Sequence, residues 1–203
     1  MKSERELEVK YRVADLERLR ERVEALGGEL VQPRTFERNL RFDTPDGSLS
    51  RGYRVLRLRR DSAARLTYKG PAESRGGVRL RQEIEFEVSD FDAARHFLEA
   101  LGYRVSVVYE KYRAAYRLRG VLVTLDELPY GDFAELEGET PESIRAVGDL
   151  LGLRWEARLP ESYLALFERA RRVLGWNFQN LVFANFEGMP DPLAPLKLPL
   201  ADK

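Results

Sequence analysis

The chain has no cysteine, a single histidine, no apolar run long enough to cross a bilayer and no net charge across its 203 residues. Without cysteine there are no disulfides, no thiolate nucleophile and no Cys-ligated zinc. One histidine excludes a multi-histidine metal site. His96 falls in a helical segment and reads as a surface or packing residue rather than the base of a catalytic triad. Lys+Arg and Asp+Glu are both 34, so no basic field points to nucleic acid. With neither a membrane span nor a signal-like N-terminus, the expected location is the cytoplasm.

What remains is charge of both signs on a globular background. Hydrophobic residues make up 43% and charged residues 33%, the latter above the usual quarter. Strands are predicted at 4–13, 29–43, 53–60, 64–69, 78–88, 103–118, 120–128 and 132–139. Helices are predicted at 15–26, 90–101, 141–151 and 161–174 from apolar residues at helical spacing and from Gly27-Gly28, Gly102 and Thr140-Pro141 as stop and start signals. From about 175 onward the chain is rich in aromatics and proline and has little periodicity. It also repeats itself: Glu8, Val13, Asp15 and Ala25-Leu26-Gly27 recur seventy-five positions later as Glu83, Val88, Asp90 and Ala100-Leu101-Gly102. Thr67-Tyr68-Lys69-Gly70 resembles Glu135-Leu136-Glu137-Gly138 in spacing and context. Two β-α-β-β-β halves imply one pseudo-symmetric assembly.

The strands share one habit. Glu6-Leu7-Glu8-Val9-Lys10 alternates charge with apolar groups, and side chains at i, i+2 and i+4 share a face. Arg79 to Val88, Leu56-Arg57-Leu58-Arg59 and Glu135-Leu136-Glu137 do the same. Helices need the apolar faces to cover, which leaves the charged faces on the other side of the sheet. The expected fold is therefore α+β: an eight-stranded antiparallel closed β-barrel with a charged interior and helices packed outside. Buried charges must be paired or occupied by ligand. Acids beside bases suit a polyanion carried with a divalent metal.

These blocks resemble the CYTH superfamily, or triphosphate tunnel metalloenzymes, which includes class IV adenylyl cyclases and thiamine and inorganic triphosphatases. The likeness covers roughly residues 4–168. It rests on Glu6-Glu8-Lys10, Leu56 to Arg59, Thr67 to Pro71, Glu83-Ile84-Glu85, Glu110 to Arg113, Leu125 to Leu128 and Gly131 to Glu137, all in the family's order. The resemblance implies a tunnel that binds a triphosphorylated small molecule with Mg²⁺ or Mn²⁺. Glu6, Glu8 and Glu137 match the principal metal carboxylates. Glu135, Asp126 and Glu85 or Glu83 are candidates for a second metal or for orienting its waters. Lys10, Arg57, Arg59, Lys69 and Arg113 match the phosphate-binding cations, with Arg113 favoured over Lys111. Arg81, Glu87 and Arg117 stay unassigned, and core packing is the expected role of Tyr163.

The expected activity is hydrolysis of the terminal phosphate of inorganic triphosphate, thiamine triphosphate or a nucleoside triphosphate. Glu6, Glu8 and Lys10 are the residues expected to be closest to the chemistry. Cyclisation of ATP to cyclic AMP and pyrophosphate is the alternative. It is disfavoured because Glu37 to Asp43 keeps only the end of the cyclases' Q-x-D-x-Y-like stretch. A non-catalytic polyphosphate sensor ranks third. Residues 1–170 read as the tunnel domain and 171–203 as an extension. The extension's aromatics are expected to dock on the domain, close a tunnel mouth or form a homodimer contact.

Overall fold

Alternation with period two forces each charged strand to show one polar and one apolar face, and the architecture follows from satisfying both. The structure, a computed structural model, describes the backbone of residues 4–75 and 78–203 and the side chains of 7–73 and 80–203. In chain order the elements are β1 (Glu4–Arg12), α1 (Leu16–Ala25), β2 (Glu29–Asp43), α2 (Ser48–Arg51), β3 (Val55–Arg60), β4 (Ala64–Lys69), β5 (Glu73–Arg75) and β6 (Val78–Val88). They continue with α3 (Phe91–Ala100), β7 (Arg104–Leu118), β8 (Val121–Leu128), β9 (Gly131–Glu137), α4 (Pro141–Leu150), β10 (Arg158–Leu159) and α5 (Tyr163–Leu174).

The sheet order is β10-β1-β9-β8-β7-β2-β3-β4-β6-β5, and β1 also pairs with β6. Eight antiparallel strands thus close on themselves as a ring, β1-β9-β8-β7-β2-β3-β4-β6, with β10 and β5 as short additions. The sequence repeat is visible in the pairing. β1 and β6 run side by side, as do β2 and β7, each joining one half to the other. Glu8 stands opposite Glu137 on β9, and its repeat equivalent Glu83 stands opposite Lys69 on β4. On the strand pairs that join the halves, Glu6 lies opposite Arg81 and Glu37 opposite Lys111.

The helices repeat too. Asp15 caps α1 by accepting the Arg18 N–H at 2.9 Å, and Asp90 caps α3 by accepting from Asp92 and Ala93. Both helices exit through a glycine at positive φ, Gly27 and Gly102. Outside the ring, α1 and α4 cover β8, β9 and β1 through Leu19, Val23, Ile144, Val147, Val123 and Leu136. Helix α3 covers β2 and β3 with Phe91 and Leu98 on Leu40, Phe42 and Leu58. Among the described residues the first half has no helix in the α4 position. Its chain runs through β5 into β6, and Ile84 and Phe86 stay 43% and 54% exposed.

A third core forms where α5 and the C-terminal segment pack on Tyr130 and Phe133. Trp176 stacks on Phe178 at 5.6 Å, and Phe178 meets Phe186 edge-on at 5.1 Å. Leu181 extends β7 by a single bridge, with its N–H on Val108 O and its carbonyl on Glu110 N–H, both at 2.9 Å. The Ala201 N–H reaches Arg12 O at 2.8 Å, and the Asp202 carboxylate accepts from Ala14 and Asp15 N–H. The segment lies along one side of the ring.

Elements α2, β5 and β10 were not anticipated, because two to four residues carry no period to detect. The strand expected from 53 begins at Val55, since Tyr53 has φ +53° and ends α2 instead. His96 is exposed on α3, as expected. Phe186→Ala should cost about 3–5 kcal/mol, as for other buried large-to-small changes at aromatics. Urea denaturation would show this as a lower midpoint at unchanged slope.

Candidate active site in the ring interior

The inward-facing side chains surround an open cavity of about 1590 Å³. Two kinds of wall meet there. On β3 and β4, Arg57, Arg59 and Lys69 face inward beside Arg41 of β2. Across from them, β1 and β9 present Glu8, Lys10, Glu135 and Glu137. Glu83, Glu85 and Arg81 of β6 lie between the walls on one side, and Lys111 and Arg113 of β7 on the other. Ten of the twelve residues singled out from the sequence therefore line one space. The Glu6 side chain lies outside the described residues, although its backbone is paired with Arg81 on β6. Asp126 is fully buried behind the lining.

The charges are held by one another. Lys10 Nζ is 2.7 Å from Glu135 and 4.2 Å from the centre of the Tyr163 ring. Arg113 donates from Nε to Asp126 Oδ1 at 2.6 Å and from Nη2 to Glu135 at 2.5 Å. Asp126 also accepts from the Tyr163 hydroxyl at 2.7 Å and pairs with Lys111 at 3.2 Å. On the opposite wall Arg57 and Arg59 share Glu85, at 3.3 and 3.2 Å. Lys69 lies 3.0 Å from Glu83, and Arg81 lies 3.3 Å from Glu8.

This arrangement fixes protonation states. Burial alone would raise the pKa of Glu135, yet Lys10, Arg113 and Lys111 hold it well below the usual carboxylate range. Burial likewise acts to raise Glu37, but Lys111, Arg113, Arg59 and Arg57 bring it down to about 2. The Tyr109 phenol accepts from Arg57 at 3.3 Å. Its pKa is lowered, because Arg57, Lys111 and Arg41 outweigh the effect of burial. The Tyr163 phenol is pushed well up by burial and by Asp126 and Glu135.

Several of these residues escaped the sequence reading. Glu37 is fully buried, 3.7 Å from Arg59 and 3.6 Å from Lys111, and neither of its carboxylate oxygens has a hydrogen-bond partner. Asn39 is also fully buried, with its side-chain N and O both unsatisfied. Arg41, Tyr109 and Lys111 line the cavity. The signal was present as inward parity on β2 and β7, where Glu37, Asn39 and Arg41 alternate with Leu40 and Phe42. Tyr163 lines the cavity as well as packing in the core. Arg81 and Arg117 face the cavity, whereas Glu87 is mostly exposed and pairs with Arg65.

Among the described residues, no three His, Cys, Asp or Glu side chains converge closely enough to hold a metal ion. By register, Glu8 stands directly opposite Glu137, with Glu6 two residues along the same strand. Two carboxylates directly opposed on adjacent strands repel, so that position favours a cation.

A ring of inward charges with helices outside defines a class of tunnel folds, and the comparisons agree. The family profile for the CYTH domain matches residues 4–149. Adenylate cyclase CyaB of Aeromonas hydrophila is 32% identical over 178 residues, spanning 81% of this chain and 90% of that protein. A solved structure from Vibrio parahaemolyticus, named for adenylate cyclase, superposes with a TM-score of 0.73 at 25% identity, covering 82% of this chain and 99% of that one. HpAC1 from Hippeastrum, described as having a dominant triphosphatase activity, reaches a TM-score of 0.64 at 21% identity over 81% and 95% of the two chains. At that identity it shows the fold alone. The chain belongs to the CYTH family.

The Glu37 geometry predicts a pH effect. Its folded pKa is lowered from 4.5 to about 2. Its contribution to stability is therefore present above pH 4.5 and lost as pH falls toward 2. Glu37→Gln should cost about 3 kcal/mol at pH 7, because it removes a buried carboxylate whose charged form Lys111, Arg113, Arg59 and Arg57 favour in the folded state. It should also flatten the acid limb of stability against pH, read by denaturant titration from pH 7 down to 2.5.

Proposed function

We propose that this protein is a divalent-metal-dependent phosphohydrolase that removes the terminal phosphate of a triphosphorylated small molecule. The observation that carries the reading is the opposition of a cationic wall, Arg57, Arg59 and Lys69, to a carboxylate-bearing wall, Glu8, Glu135 and Glu137, across one cavity. A triphosphate needs several fixed cations for its oxygens and a counter-cation for the remaining charge.

On this reading Arg57 and Arg59 grip phosphate oxygens as planar forks, and Lys69 adds a point charge. Glu85, paired to both arginines, keeps the forks side by side. Lys10 and Arg113 reach the phosphate chain from the opposite side. Glu135 and Asp126 hold those two cations in place, and Asp126 does the same for Lys111. The donors fit Mg²⁺ or Mn²⁺ in kind, being hard oxygens. Glu8, Glu137 and Glu6 would hold the ion, with Glu135, Glu83 and Glu85 as further ligands or water-orienting groups. When bound, the ion neutralises charge on phosphoryl oxygens and makes a neighbouring water more acidic. The protein's own share is positioning and preorganised charge, because phosphoryl transfer asks little covalent chemistry of it.

A second reading, cyclisation of ATP to cyclic AMP and pyrophosphate, is favoured by the name of the Aeromonas relative. Hydrolysis ranks first because a cavity this large and open admits water along its length, whereas cyclisation needs a ribose hydroxyl held in line. Incubation of inorganic triphosphate, thiamine triphosphate and ATP with Mg²⁺ or Mn²⁺ separates the two. Orthophosphate release is expected; cyclic AMP with pyrophosphate as the ATP products would overturn it. Glu8→Gln should lower kcat by about 100-fold or more with a small change in triphosphate affinity. Arg57→Ala should weaken binding by roughly tenfold or more through loss of a charge-assisted contact. Steady-state kinetics and calorimetry of both variants check this, and equal, mild effects would count against the site.

A further inference from the structure

The cations of the two walls are paired. Lys10, Arg57, Arg59, Lys69, Lys111 and Arg113 each lie within 3.3 Å of a carboxylate. Arg41 of β2, which lines the same cavity, is different. Among the described residues its guanidinium makes no ion pair, and its Nε is buried without a hydrogen-bond partner. Asp43 lies two residues on, but its carboxylate is committed elsewhere. It accepts the N–H groups of Thr44, Leu49 and Ser50 at 2.8, 2.9 and 3.1 Å and the Ser50 hydroxyl at 2.5 Å.

The neighbours of Arg41 add to its charge. By register it stands directly opposite Arg57 on β3, and like charges so placed repel. Its pKa is lowered by burial and by Arg57 and Arg81, with Tyr109 and Asp43 acting the other way. A cation drawn out of water among other cations is costly unless an anion joins it. Its place along the ring says where that anion would sit. Arg41 is two residues from the end of β2, so it faces the cavity toward the end of the ring that carries α2. Ser50 and Arg54 line the cavity there, and Arg54 is steadied by the Ser48 carbonyl at 3.2 Å. Arg59, opposite Asn39, lies farther from that end than Arg57 does.

We propose that Arg41, with Arg57 beside it and Arg54 at the rim, is a subsite for a fourth phosphate, so that the cavity takes linear polyphosphates longer than three units. The inference rests on the phosphate reading of the cavity and extends it to the length of the chain. A triphosphate on Arg57, Arg59 and Lys69 meets cations that the protein already pairs with Glu85 and Glu83. Arg41 has no such partner, and a further phosphate supplies one. Its planar fork suits two phosphate oxygens at once.

Calorimetry on the full-length protein tests this, with EDTA present so that no turnover intrudes. Kd is measured for inorganic triphosphate and inorganic tetraphosphate in wild type, Arg41→Leu, Arg41→Gln and Arg41→Lys. Wild type should bind tetraphosphate about tenfold or more tighter than triphosphate. The ratio should fall toward unity in the Leu and Gln variants, and Lys should keep part of it. Arg59→Gln is the control for overall charge, because both chains meet Arg59, and it should weaken both alike. Equal affinities in wild type, an unchanged ratio in Arg41→Gln, or an equal fall in the ratio with Arg59→Gln would overturn the proposal. The Tm of ligand-free Arg41→Leu should be at or above that of wild type, since an unpaired charge is lost. A Tm several degrees lower would show Arg41 to be held by the protein itself and would count against the subsite. Failure of both chains to bind would sink the phosphate reading of the cavity as well, whereas triphosphate binding with an unchanged ratio would sink the Arg41 subsite alone.

Discussion

Closing eight strands into a ring commits every second side chain to a shared interior, and here those side chains are ionised. Once the ring is shut, every inward cation faces the other walls of one cavity, where it meets carboxylates of neighbouring strands or a ligand. The pairs Lys10–Glu135, Arg113–Asp126, Arg59–Glu85 and Lys69–Glu83 are the result. A buried ion pair is weak evidence for stability, because desolvation offsets most of the attraction. A hydrophobic interior of the same volume would serve folding as well or better. Keeping so many charges inside therefore argues for a use in binding.

The internal duplication explains how such charges come to be separated by sign. Pairing equates Glu8 with Glu83 and Glu137 with Lys69, and it sets Glu37 of one half directly against Lys111 of the other. Continuing the same register, Arg59 in the first half corresponds to Asp126 in the second, and Lys10 corresponds to Glu85. The backbone repeats while the charge changes sign at three of these four positions and is kept at Glu8 and Glu83. A symmetric ring with symmetric charge would repel or attract an elongated anion equally from both sides. This one offers arginines to one side and carboxylates to the other, which gives a polyanion with its counter-cation a single orientation.

Much of this was legible in the chain. The eight ring strands, the four long helices and the repeat could be read because each carries many turns of its period and clear caps at Asp15, Asp90 and Thr140. Ten of the twelve predicted site residues line one cavity because strand parity fixes which face a residue takes. What escaped lies where periodicity gives no information. Buried Asn39 and Glu37 look like ordinary strand polars until closure places them inside. Tyr163 belongs to a helix that reads as core, and only the fold shows its hydroxyl on Asp126.

The central claim is the division of labour between the walls, and crystallography with inorganic triphosphate and Mn²⁺ addresses it most directly. The account predicts phosphate density over Arg57, Arg59 and Lys69 and an anomalous manganese peak beside Glu8 and Glu137. Triphosphate bound outside the ring, or manganese found only away from those carboxylates, would contradict it.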